Sequence, residues 1–256
     1  MIDKVQKALE IMAPELASYK TRKIFTEAQI NRIIENRRRF ENKLQRSAKR
    51  ISDFIGYAHS ELKLEKIRNK KIAETGAGLE ETDLILENNI FKIYENAIYH
   101  FNEPFLIKEY SEYCIKKKAV ERMKTTFASK CLKNLRDTDL WIYCAQQLCE
   151  VEDSDGARSL FMKAISVNQD YRLYIEFFRF ECIFAQKLNA INQELGVEED
   201  EKDEIEKGQI ALIVLQSIID KFGVKYESEC VEIAKNTVPE LETKVKSAFF
   251  IDSKLC

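Results

Sequence analysis

Residues 35–50 read ENRRRFENKLQRSAKR, and seven of these sixteen positions are Arg or Lys. Cations at this density can neutralise nucleic-acid phosphates or dock an acidic protein face. On an ideal helix, at about 100° per residue, Arg39, Lys43, Arg46 and Arg50 fall within about 60° of one another. Phe40, Leu44, Ala48 and Ile51 gather on a separate face. Arg37 falls near that apolar face, which predicts partial burial and a carboxylate partner, because an unpaired buried charge is costly. The four-cation stripe admits three readings: a solvated helix face, a docking face for an acidic protein neighbour, or contact with RNA phosphates. No aromatic residue alternates with the exposed cations, so stacked bases have no platform and RNA contact would be sequence-blind. Four contacts to single-stranded phosphates would give a log–log salt slope near −3, from about −0.7 per contact.

The other reactive side chains form no catalytic constellation. Two histidines, His59 and His100, and seven cysteines without a C-x-x-C pair supply no metal ligand set. The cysteines read as reduced thiols filling helix interfaces in a cytosolic or nuclear protein. Gly76-Ala77-Gly78 is an isolated glycine pair in a flexible loop, not a phosphate-binding loop. His59 has no motif partner and reads as a helix-surface or interface residue. The DSDG at 153–156 lacks the spaced ligands of a calcium loop; Ser154 or Asp155 is expected to cap a helix starting near Ala157. No enzyme activity, cofactor or small-molecule substrate is expected.

What positions these residues follows from composition. Net charge is −2, so affinity for a polyanion would come from local patches. The longest apolar run, Ile210 to Ile219, is interrupted by Gln216 and Ser217 and falls short of the roughly 20 residues of a membrane span. Charges run through the first sixteen residues, MIDKVQKALEIMAPEL, which argues against a signal peptide. Seven glycines and three prolines leave few helix breaks, and apolar residues recur at three and four. The fold class expected is all-α.

Four segments align within it: Phe54-x-x-Tyr57-x-x-x-Glu61, Ile107-x-x-Tyr110-x-x-x-Cys114, Trp141-x-x-Cys144-x-x-x-Leu148 and Tyr174-x-x-Phe177-x-x-x-Glu181. The last three starts are 34 and 33 residues apart, and the first gap is 53, the surplus being assigned to the loop at 73–83. A second register lies upstream: Phe40, Tyr94, Phe127 and Phe161 precede the four starts by 13 or 14 residues. Each unit is then a pair of antiparallel helices that buries its apolar stripe only by stacking, which predicts a right-handed α-solenoid. Phe40, Phe54, Tyr57, Tyr110, Trp141, Tyr174 and Phe177 are its expected core. Glu61 and Glu181 share a repeat position and are expected to salt-bridge within their own repeats. The domain reading is an N-terminal helical cap over 1–35 and a repeat solenoid over 36–256, with an acidic loop at 194–206.

The bulky pairs, the recurring Glu and ARSLFMKAI at 157–165 resemble the half-a-tetratricopeptide repeat of RNA-processing assemblies. APEL (13–16), the block from Arg37-Arg38-Arg39-Phe40-Glu41 through Leu44 and Arg46, and Phe54-x-x-Tyr57-x-x-x-Glu61 together resemble the U3 small nucleolar RNA-associated protein 6 family. The likeness runs over roughly residues 10–250. That family is generally longer, with more repeats beyond this region, so the chain reads as a short form or a fragment. The resemblance implies a non-enzymatic scaffold of the small-subunit processome, acting in pre-18S rRNA processing in the nucleolus. It implies WD40-propeller subunits as partners, with the pre-rRNA/U3 ribonucleoprotein particle contacted mainly through them. The alternatives are a scaffold of another RNA machine, spliceosomal or in pre-mRNA 3′-end cleavage, and a sequence-nonspecific RNA-binding module.

Overall fold

The computed structural model describes residues 4–195 and 208–252, and these form helices joined by short turns, with no strand among them. The chain divides into two compact units, Met1–Ala119 and Val120–Cys256. The first holds α1 (Lys4–Thr21), α2 (Glu27–Leu44), α3 (Ile51–Thr75), α4 (Leu84–His100) and α5 (Pro104–Lys116). The second holds α6 (Val120–Lys133), α7 (Thr138–Glu150), α8 (Ser154–Val167), α9 (Tyr171–Leu195), α10 (Gln209–Phe222), α11 (Glu227–Thr237) and α12 (Pro239–Asp252). Each unit is all-α among the described residues and built of successive packed helices, the helical-repeat class that the spacing implied.

Local chemistry sets the helix ends. Thr26 accepts from the Gln29 backbone N–H while the Gln29 side chain accepts from that of Thr26, a reciprocal cap that opens α2. Pro104 starts α5, where its missing N–H has no intrahelical partner to lose. Asp137 caps α7. The cap of α8 is Asp153, accepting from the Gly156 N–H at 3.2 Å, not Ser154 or Asp155. In the run Asp-Ser-Asp every residue is a competent cap, and the first one takes the role. Its carboxylate also meets Lys124 of α6 at 3.1 Å, a contact the other two do not make.

The two sequence registers meet as packed rings. Three of the four upstream aromatics lie against the residue three beyond the next start. Phe40 stacks on Tyr57 with centroids 5.1 Å apart and planes 4° from parallel. Phe161 stacks on Phe177 at 5.3 Å and 12°. Tyr94 meets Tyr110 at 6.3 Å in a tilted arrangement. Such ring pairs add directional attraction to the area they bury. Phe54, Trp141 and Tyr174 are buried beside them.

Two boundaries differ from the sequence reading. The cap–repeat division at 35/36 falls inside α2. The surplus assigned to the 73–83 loop goes largely into α3, which has 25 residues where α5 and α7 have 13 each. Gly76 ends α3 in a left-handed conformation at φ 69°. The loop after it is pinned: Arg22 donates to the Gly78 carbonyl at 3.0 Å and to both Asp83 oxygens at 3.0 and 2.7 Å. The acidic loop expected at 194–206 lies, from residue 196 onward, outside the described residues.

Trp141 is 1% exposed, and its indole N–H has no hydrogen-bond partner among the described residues. Trp141→Ala should therefore cost about 3–5 kcal/mol of stability, as buried aromatic truncations do. Trp141→Phe should cost clearly less, because it keeps most of the ring and removes an unsatisfied donor. Denaturant midpoints of the two variants check this ordering.

Candidate interaction surface

The basic stretch splits into a buried part and an exposed part. Arg37, on α2, is fully buried and held on both sides. Its Nε and Nη2 donate to Glu61 of α3 at 2.8–3.2 Å. Its Nη1 and Nη2 donate to Glu15 of α1 at 3.0 and 3.3 Å. Burial alone would disfavour the cation; the two carboxylates outweigh it and hold Arg37 above its ordinary value. One cation facing two carboxylates leaves a negative balance. Burial pushes the Glu15 carboxyl up from its ordinary value despite the arginine. Burial also raises Glu41, which Tyr57 hydrogen-bonds, and Asn89 donates to Glu61 at 3.3 Å. The partial burial read from the helical wheel is full burial, with two partners in place of one.

The same arrangement recurs in the second unit. Arg158 of α8 donates to Glu181 of α9 at 2.7 and 3.1 Å. Arg37 and Arg158 each stand three residues before the register aromatic, Phe40 and Phe161, and Glu61 and Glu181 share the last motif position. Both glutamates thus bridge adjacent helices. The arginine partners stand in R-x-x-F at 37–40 and 158–161, but the same spacing at 22–25 places an arginine that pairs with Asp83, so the signal has no meaning until the packing of the helices is known.

The four-cation stripe does not exist as one helix face. α2 ends at Leu44, so Arg46 lies in a turn and Arg50 is the residue preceding α3. Lys49 folds back to donate to the Leu44 carbonyl, satisfying a terminal helix acceptor. Lys43 and Arg46 converge instead on Asp53, the first-turn acid of α3, at 3.4 and 3.6 Å. Arg39 lies over the Phe40 ring at 5.2 Å and donates to Asn36. Arg50 is exposed and makes no ion pair among the described residues. The cations form an elbow around the α2–α3 turn, with Asp53 inside it and Arg39 and Arg50 outward. Ala48, expected on the packing face, is exposed in the turn.

The remaining chemistry is structural. His59 is more than half exposed and meets Glu109 at 3.3 Å. Cys114, Cys131, Cys144, Cys182 and Cys230 are buried. Burial pushes the Cys149 thiol up to about 11 and those of Cys182 and Cys230 up to about 12, leaving them protonated and poorly nucleophilic at neutral pH. Lys117 sits between Glu65, at 2.6 Å, and Glu87, joining α3, α4 and the end of α5.

Packed helices, tied in three repeats by an aromatic pair and in two places by an arginine–glutamate bridge, define a helical-repeat protein. Residues 9–93, which include Glu15, Arg37 and Glu61, match the family model described as U3 small nucleolar RNA-associated protein 6. The U3 small nucleolar RNA-associated protein 6 homolog of Homo sapiens is 27% identical over 251 residues, covering 92% of this chain. The U3 small nucleolar RNA-associated protein 6 of Schizosaccharomyces pombe is 29% identical over 199 residues, covering 75%. The resemblance read from the N-terminal motif is therefore shown, by the family model over α1–α4 and by relatives over most of the chain. The chain spans 41% of the length of each of these relatives.

Arg37→Met should destabilise the protein by about 3–5 kcal/mol, because it strands two buried carboxylates. Arg37→Lys should recover only part of this, since one ammonium cannot reproduce the planar fork toward two partners; thermal unfolding of both variants checks it. For RNA, with only Arg39 and Arg50 of the four free of acidic partners, the salt slope on a single strand should be about −1.4. Titrating the purified chain with oligouridylate at several salt concentrations checks that value.

Proposed function

We propose that the chain is a non-catalytic scaffold segment that acts in U3 ribonucleoprotein-linked assembly of the small ribosomal subunit, in the nucleolus. The observation that carries this reading is the joint match of the N-terminal helices to the U3 small nucleolar RNA-associated protein 6 model and of most of the chain to relatives of that name. The fold supports it physically. A repeat stack presents surface in proportion to its length and needs no enclosed site to hold a partner. The ionisable groups Arg37, Glu15 and Tyr57 are buried in packing contacts. In this reading the direct partners are WD40-propeller subunits of the same subcomplex, and pre-rRNA is reached mainly through them. The exposed cations of the α2–α3 elbow make an auxiliary contact.

Affinity purification of the tagged chain after nuclease treatment tests this. WD40-propeller proteins of the small-subunit processome should remain bound once RNA is digested. Their loss on digestion would make RNA the primary partner. Recovery of spliceosomal or 3′-end cleavage factors in their place would assign the chain to a different machine.

A further inference from the structure

The first unit carries a groove that neither its packing contacts nor the basic elbow uses. It lies between α3 and α5 and has a volume of about 550 Å3. One wall is α3, where His59, Lys63 and Lys66 follow at i, i+4 and i+7 and so share a face. Lys63 and Lys66 are exposed and have no ion-pair partner among the described residues. The reason lies inside the same helix. Its nearby acids, Glu61 and Glu65, point inward to Arg37 and Lys117, so no carboxylate is left to offset the outer lysines. Lys116, at the end of α5, is likewise exposed and unpaired among the described residues.

The rest of the α5 wall is acidic. Glu109 is held by the Tyr94 hydroxyl at 3.0 Å and by His59 at 3.3 Å across the groove, and Glu112 beside it is exposed. A strand of phosphates lying here would face Lys63 and Lys66 on one side and be repelled by Glu109 and Glu112 on the other. Bases would find no stacking surface, because Tyr94 and Tyr113 are 2% and 4% exposed and their hydroxyls are committed to Glu109 and Glu65. A polypeptide has no such conflict, since it can carry acids on one side and donors on the other.

We propose that the α3–α5 groove docks a protein segment bearing paired acidic residues, one helical turn apart, against Lys63 and Lys66. The proposal rests on the reading of the chain as a protein-binding scaffold. It narrows that reading to a place and a partner chemistry.

The test uses the purified chain and three fluorescent probes: a helical peptide of Glu, Gln, Leu and Ala with acidic pairs one turn apart on one face and glutamine donors on the opposite face, its Lys-for-Glu counterpart, and oligouridylate. Fluorescence anisotropy should show binding of the acidic peptide. Lys63→Glu with Lys66→Glu should weaken that binding about tenfold or more, from the loss and reversal of two surface ion pairs. Glu112→Lys should leave it unchanged or tighten it. All these side chains are exposed, so thermal unfolding should match the parent; should the double variant unfold early, Lys63→Gln with Lys66→Gln replaces it. The proposal is overturned if the acidic peptide does not bind, if the lysine reversals leave its affinity unchanged, or if its basic counterpart binds equally well. It is also overturned if oligouridylate displaces the peptide and loses affinity with the same substitutions. A negative outcome with propeller recovery intact would remove this docking site alone and leave the scaffold reading in place.

Discussion

A guanidinium taken wholly out of water must be met by charge and by hydrogen-bond acceptors, and in this protein Arg37 imposes that demand on three helices at once. Its desolvation is offset only if Glu15 of α1 and Glu61 of α3 both reach it. Neither glutamate can satisfy the planar fork alone, because the contacts divide between its two sides. Helix propensity decides that α1, α2 and α3 exist. The arginine decides how each is turned about its own axis, since a modest rotation would carry a carboxylate out of reach. The arrangement is not free of strain. Burial raises the Glu15 carboxyl despite the arginine beside it, and the charge of Glu61 adds a smaller push in the same direction.

Aromatic pairs and arginine–glutamate bridges do different jobs in the stack. Phe40 on Tyr57, and Phe161 on Phe177, set how closely successive helices approach. Arg37 with Glu61, and Arg158 with Glu181, fix the rotation of those helices. The two bridges differ in severity. Arg158 keeps about a fifth of its side chain exposed and lies over the Phe184 ring at 5.1 Å, so water and a ring share its charge. Arg37 has only its two glutamates. Within the first unit Lys117 plays a third version, one ammonium shared by Glu65 and Glu87.

The ring spacing was legible in the sequence because large buried residues must recur wherever one helix pair repeats another. Helicity was legible because little in the chain breaks a helix. The end of α2 was not. Gln45–Arg50 contains neither Gly nor Pro, and its Ala, Lys and Arg favour helix. The helix stops there because the turn lets Tyr57 return to Phe40, and because Lys49 takes up the freed Leu44 carbonyl. That decision is tertiary, and it dissolved the four-cation stripe that local periodicity had drawn. Glu61 was legible as structural from its repeat position. Glu15 was not, since nothing in APEL says which helix α1 faces. The α3–α5 groove was invisible for a similar reason: its walls are 50 residues apart in the chain, as the His59–Glu109 contact shows.

The buried trio has a further consequence, for the pace at which this sequence can drift. Glu15, Arg37 and Glu61 form a set in which loss of the arginine strands two buried carboxylates and loss of either glutamate leaves one side of the buried guanidinium without its acceptor, so single steps are costly and concerted ones are favoured. The cations of the elbow are under no such rule: Arg39 or Arg50 can be exchanged alone at little cost to folding. Across descendants of this chain the three buried residues should therefore travel together or not at all, while the basic elbow a few residues away changes one position at a time. What an ancestor could freely revise was the surface it showed to others, and what it had to keep was the geometry that held that surface in place.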